Sequence, residues 1–270
     1  MRRLLIVGVL LASAAAAWAA PRESAEAPAT DEKRAMAAIK RAATGPWVNG
    51  DWALKAVMTT GKGKDRVSVP VDMLGGWTAE EGRWQRIRMP GGGQWIIKGK
   101  AVPTVWELKE GAPPHAMNEE ERLNPIHERV PMSWELFTMG FLSWPDVRYR
   151  GVQKVRARWC DEVELTGGAG AYAKALVWVD VEFGAPVEAE LYDADGRLVK
   201  TVRAVSVQKV QSGEWILKRW EAVDGVSHAK VSVDVVAVAL GGMWQGELMN
   251  EMSGANLWPA IPMEAWRTFE

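Results

Sequence analysis

A mainly β fold is what the sequence predicts: an antiparallel meander curled into a half-closed barrel, with an N-terminal helix and a short helical lid insertion. Three observations carry it. A two-residue alternation of apolar and polar side chains begins at Trp52 and recurs almost to the end of the chain. Its runs are joined by short turn-forming links, which make successive strands antiparallel neighbours. The alternation breaks once, around residues 111–144, where prolines and an apolar segment of helical spacing replace it. A flat sheet of about a dozen strands would leave long exposed edges, so the meander is expected to curl on itself.

The elements follow in order. Arg2 and Arg3 precede an uncharged run from Leu4 to Trp18, which closes in Ala17-Trp18-Ala19-Ala20 before Pro21. This is the plan of a cleaved signal peptide over residues 1–20, and its apolar run is shorter than the roughly 20 residues a spanning helix needs. No cysteine lies near the cleavage site for lipid attachment, so the expectation is an exported, non-lipidated protein in the periplasm with no transmembrane segment in the mature chain. Residues 21–30, rich in Ala, Pro, Glu and Ser, read as a flexible leader. Residues 31–270 are expected to form one domain. An amphipathic helix over 31–43 starts behind an Asp31 cap, with Met36, Ala37, Ile39 and Lys40 inside it, and stops at Gly45-Pro46.

Strands are expected from Trp52 to Met58 and Val67 to Met73, joined by the turn Gly61–Lys64, then over Trp84–Met89, Gln94–Lys98 and Val102–Leu108, with a turn at Gly91-Gly92-Gly93. In the break, Ser133 caps a short helix that carries Trp134, Phe137, Phe141 and Leu142 at helical spacing. Strands resume over Val147–Val155, Ala157–Leu165, Ala173–Val181, Val187–Tyr192, Leu198–Val210, Trp215–Val223 and Val226–Ala239. Phe183-Gly184, Asp193-Ala194-Asp195-Gly196, Ser212-Gly213 and Asp224-Gly225 supply the turns.

Chemistry-bearing patterns are few. The chain carries 33 basic and 34 acidic residues for a formal charge of -1, with no basic excess to suggest a nucleic-acid partner. His115, His127 and His228 are too scattered for a local metal motif, and neither a metal nor a cofactor is expected. The single cysteine, Cys160, cannot form an internal disulfide and reads as a buried, inert thiol. Ser206/Lys209 and Ser227/Lys230 share the Ser-x-x-Lys spacing of penicillin-recognising enzymes. Both pairs fall in expected strands, where residues three apart face opposite sides, so no catalytic residue is assigned. Glu119–Glu121 reads as a solvated helix face.

One stretch of the second half carries a resemblance. Val177-Trp178-Val179-Asp180 is followed by Tyr192-Asp193-Ala194-Asp195-Gly196-Arg197, then by Lys209-Val210 and Gly213-Glu214-Trp215. This order of a W-x-D strand, a Y-D-x-D-G-K-type hairpin and a K-V-x-G-x-W-type hairpin resembles the bacterial outer-membrane lipoprotein-sorting (LolA/LolB-like) family, over roughly residues 130 to 240. The resemblance implies a partly closed barrel lined by apolar side chains, with helices across its mouth and acyl chains of lipoproteins or other lipids inside. A carrier or chaperone in outer-membrane lipoprotein sorting is the leading expectation, with no enzymatic activity. The first alternative is a periplasmic sensor of mislocalised lipoproteins that regulates a membrane protein partner, and a hydrolase comes last. Trp134, Phe137, Phe141 and Leu142 are the expected lid or cavity residues. Most of the 16 tryptophans are expected simply to fill the core.

Overall fold

The computed structural model describes residues 30–44, 51–78, 82–91, 93–99, 103–168, 170–209, 215–242, 258 and 261–268. The expected signal peptide, nearly all of the expected leader and most of residues 244–266, which carry three tryptophans, lie outside the described residues.

Helix α1 spans Asp31–Thr44. Its cap is Thr30 rather than the expected Asp31: the Lys33 N–H donates to Thr30 Oγ1 at 3.4 Å, and Asp31 and Glu32 stand in the first turn, where the helix dipole favours acids. The buried stripe is Ala35, Ala38, Ile39 and Ala42, while Met36 is exposed. Small side chains on that stripe let the helix lie close to the sheet. Asp161, itself buried, fastens it there by accepting from Arg34 Nε at 2.9 Å, Arg41 Nη2 at 3.2 Å and the Tyr149 hydroxyl at 3.1 Å.

The sheet is built in two arms. The first runs outward as β1 (Asp51–Thr60), β2 (Val67–Thr78), β3 (Gly82–Arg88), β4 (Gln94–Gly99), β5 (Thr104–Leu108) and β6 (His115–Ala116). The second begins at the far edge and returns inward as β9 (Asp146–Val155), β10 (Arg158–Thr166), β11 (Lys174–Asp180), β12 (Pro186–Tyr192), β13 (Leu198–Lys209), β14 (Trp215–Asp224) and β15 (Lys230–Gly242). Strand β15 pairs antiparallel with β1 and joins the arms, giving the order β6-β5-β4-β3-β2-β1-β15-β14-β13-β12-β11-β10-β9. The sheet is strongly curved and does not close into a barrel, in agreement with the half-closed expectation.

Between the arms, residues 117–145 must carry the chain from one sheet edge to the other. The expected helical insertion holds more than helix: α2 (Glu119–Leu123), the hairpin β7 (Pro125–His127) and β8 (Val130–Ser133), α3 (Trp134–Phe137), and a 3-10 turn over Gly140–Ser143. The helix around Trp134 to Leu142 is split, because Met139 takes a left-handed conformation at φ 53°. Glu119–Glu121 form an exposed turn of helix, and Glu121 closes a capping box with Asn118.

A second boundary differs from expectation. Strand β15 begins at Lys230, not Val226, because Asp224 Oδ1 accepts from the backbone N–H groups of Val226 and Ser227 and from the Ser227 hydroxyl. A short acceptor side chain at that point offers the backbone a turn in place of a ladder. Ser227 therefore sits in a turn rather than a strand, and Lys230 Nζ is bonded to Glu221. The last residues, with a short β16 (Arg267–Thr268) paired to β15, return to the outer face of β1–β3, where Trp258, Ile261 and Trp266 pack with Ala53, Leu74, Trp84 and Ala239.

Candidate functional site

The inward phase of the strands makes one continuous apolar face. Met58, Val71, Ile87, Ile97, Val163, Leu165, Val177, Leu191, Val202 and Val233 belong to a single buried cluster that includes the inner side of α1. Strand alternation alone puts these residues on one side, and the curvature turns that side into a trough.

The insertion lies in the trough. Ser133 is the expected cap of α3, accepting from the Leu136 N–H at 3.4 Å, and the Thr138 hydroxyl donates back to the Trp134 carbonyl at 2.7 Å. Helix α3 is thus closed at both ends within one turn. The 3-10 turn is closed by the Ser143 hydroxyl on the Gly140 carbonyl at 2.6 Å.

All four expected lid or cavity residues, Trp134, Phe137, Phe141 and Leu142, are buried in that cluster. Two of them form a row of rings across the trough. Trp134 lies 4.9 Å from Trp95 of β4 and 6.2 Å, edge-on, from Phe137, which lies 6.2 Å from Trp220 of β14. The row reaches from one arm of the sheet to the other. Each such aromatic pair adds about 0.5–1.5 kcal/mol beyond its buried area. Phe141 and Leu142 continue the apolar surface from the 3-10 turn.

Sequence reasoning did not single out Trp95 and Trp220. Both alternate in phase with inward residues of their strands, which is the signal that marks them. Their indole N–H groups are buried without a hydrogen-bond acceptor among the described residues. Glu135 was also missed. Its side chain is 6% exposed, its Oε2 lies 3.8 Å from Arg122 Nη1, and its Oε1 has no hydrogen-bond partner among the described residues. Burial pushes its carboxyl above the usual carboxylate range, against the opposing pull of Arg122 and a hydrogen bond from Trp144. A Cβ added to Gly140 would come within 2.5 Å of a Glu135 oxygen, so that residue has no room for a side chain unless Glu135 moves.

Cys160 is buried, and burial together with Asp180 pushes its thiol up to about 12, so it stays protonated and unreactive. Among the described residues no three His, Cys, Asp or Glu side chains converge in a group able to hold a metal ion. No helix of the described residues is long and apolar enough to cross a membrane.

An open, strongly curved antiparallel sheet whose concave side is crossed by short helices is the LolA-like fold, and this chain has it. Solved structures that share it include the following three. A putative outer membrane lipoprotein-sorting protein domain from Vibrio parahaemolyticus superposes with a TM-score of 0.65 at 13% identity, over 82% of this chain and 97% of its own. A DUF1329 family protein from Desulfovibrio piger gives 0.63 at 16% identity, over 78% and 93%. A LolA superfamily protein from Nitrosomonas europaea gives 0.55 at 18% identity, over 77% and 94%. At these identities the likeness is one of fold. A protein-family model described as "-like: Uncharacterized protein" matches residues 141–237, from the 3-10 turn through most of the inward-running second arm. No curated protein matches the sequence.

Proposed function

We propose that this protein is a periplasmic carrier that holds acyl chains of lipoproteins or other lipids in the trough of its sheet, beneath the insertion, and performs no covalent chemistry. The observation that carries this reading is how the trough is covered. A sheet of this size buries one whole face, yet among the described residues only α1 and a run of elements three to five residues long lie against it. Short elements with few backbone bonds belong to the low-stability end of a structure and open first. Lifting α3 and the 3-10 turn would expose Trp95, Trp220 and the aliphatic floor as a single apolar surface.

The energetics favour such a device. Each methylene of an acyl chain costs about 0.8 kcal/mol to hold in water, so a palmitoyl-length chain in transit is unfavourable by about 10 kcal/mol. That is enough to offset displacement of the four lid side chains, because the entering chain restores the apolar contacts they give up. The unaccepted indole N–H groups of Trp95 and Trp220 would gain an acceptor from an ester or amide carbonyl. The lipoprotein-sorting description of the Vibrio parahaemolyticus domain fits the same task.

Native mass spectrometry of gently purified protein, with lipid extraction of the same sample, tests the reading. A bound acylated species is expected, and it should be lost in Trp134→Asp and Phe141→Asp variants that keep their far-ultraviolet circular dichroism. Protein that carries no lipid and takes up no fluorescent fatty acid after delipidation would end the carrier reading.

A further inference from the structure

A second apolar hollow lies on the opposite, outer face of the second arm. Two local irregularities make it. The β9–β10 turn places Arg156 at φ 48° and Ala157 at φ 68°, two left-handed residues in succession where Gly or Asn is usual. On β13 the register slips between Ala204 and Ser206 and again between Ser206 and Val207, so the strand bulges. The Arg156 turn reaches the bulge: Arg156 Nη1 donates to the Ala204 carbonyl at 2.6 Å.

The hollow between them has a volume of about 450 Å³. Its walls are Phe183, Pro186, Val187, Val205, Val207 and Trp215. Phe183, Val205, Val207 and Trp215 are each 36% to 42% exposed, a contiguous apolar surface facing water. The volume falls within the roughly 300–1,000 Å³ of pockets that enclose small ligands.

Among the described residues the charge at its rim is net positive. Arg158 lies over the Phe183 ring at 4.9 Å and is matched by Asp180 at 3.0 Å. Arg156 is exposed, and its bond is to a neutral carbonyl, with no carboxylate paired to it among the described residues. An apolar trench with one uncompensated guanidinium at its lip complements a molecule with a single apolar chain and an anionic head.

We propose that this outer hollow is a binding site for a long-chain carboxylate, with the chain along Val205, Val207 and Trp215 and the head on Arg156. The guanidinium fork matches a carboxylate in geometry as well as charge. The site is separated from the trough by the thickness of the sheet, so it stands or falls independently of the carrier reading.

Photo-crosslinking of the full chain with a diazirine-bearing hexadecanoate, followed by peptide mapping, locates the ligand. Calorimetry with dodecanoate and its methyl ester, below micellar concentration, reads the head and the chain separately. Crosslinks are expected on residues 183–187 and 204–207. Arg156→Gln should weaken dodecanoate roughly tenfold and leave the ester unchanged. Val205→Asp, at a half-exposed position that does not threaten the core, should abolish the crosslinks on residues 183–187 and 204–207, with an unchanged melting curve as its control. Crosslinks confined to Trp134, Phe137 and their neighbours would overturn this site and leave the carrier reading standing. Crosslinks in the outer hollow alone would do the reverse. Absence of binding, or an equal loss of acid and ester in Arg156→Gln, would also overturn it, and the hollow would then be a protein-docking surface.

Discussion

The carboxylate of Glu135 is buried within the insertion, with one oxygen near Arg122 and the other without a hydrogen-bond partner among the described residues. Because burial raises its folded-state pKa above the unfolded value, the native state holds its proton more tightly than the unfolded chain does. The contribution to stability is therefore full below the unfolded pKa and declines as pH rises from there through the raised folded value. Glu135→Gln should remove that decline, so urea midpoints measured across the mildly acidic range should be flatter for the variant than for the parent. Ala157 offers a second single-residue test. Its φ of 68° is strained for any side chain, and Ala157→Gly should raise unfolding free energy by about 1 kcal/mol in denaturant titration, without altering the turn.

At the scale of elements, α3 depends on its cap. The Ser133 hydroxyl accepts from Leu136 and is also the hydrogen-bond partner of the buried Tyr172 hydroxyl, whose own pKa burial pushes up to about 12. Ser133→Ala removes the cap and leaves the tyrosine unmatched. A loss of about 1–2 kcal/mol is expected. If the insertion opens to admit a chain, the same change should speed uptake of a fluorescent fatty acid in stopped-flow measurements, since the closed lid is what it weakens. Helix α1 is held differently, by the three-way contact at Asp161, and should stay in place while α3 moves.

For the whole molecule, topology sets what can move and what must be guarded. The chain leaves the sheet at β6 and re-enters at β9, so the insertion bridges the two edges and covers the trough by necessity. The open design leaves β9, ten residues long, paired to β10 on one side and to no strand among the described residues on the other. Arg148, Arg150 and Lys154 are exposed along it, and the register slips opposite Glu162, both of which deter edge-to-edge association. Replacing the three cations together by threonine should produce concentration-dependent self-association in sedimentation velocity, with little change in the melting of the monomer.

Much of this was legible in the sequence because strand alternation and turn chemistry are local. The two-residue period from Trp52 onward, the Asp-Gly and Gly-rich turns, the Ser133 cap and the burial of Cys160 all rest on neighbours a few residues apart. So does the inward phase of the four insertion residues. The cap of α1 and the start of β15 differed by one and four residues, where Thr30 and Asp224 won backbone donors by side-chain acceptance. What the chain alone could not reveal is long-range. The β1–β15 pairing that sets the two arms, the row of rings from Trp95 to Trp220, the hold of Arg34 and Arg41 on Asp161, and the meeting of Arg156 with Ala204 each join residues far apart in sequence. Periodicity says which face a side chain takes; only the closing of the fold says which distant face it meets.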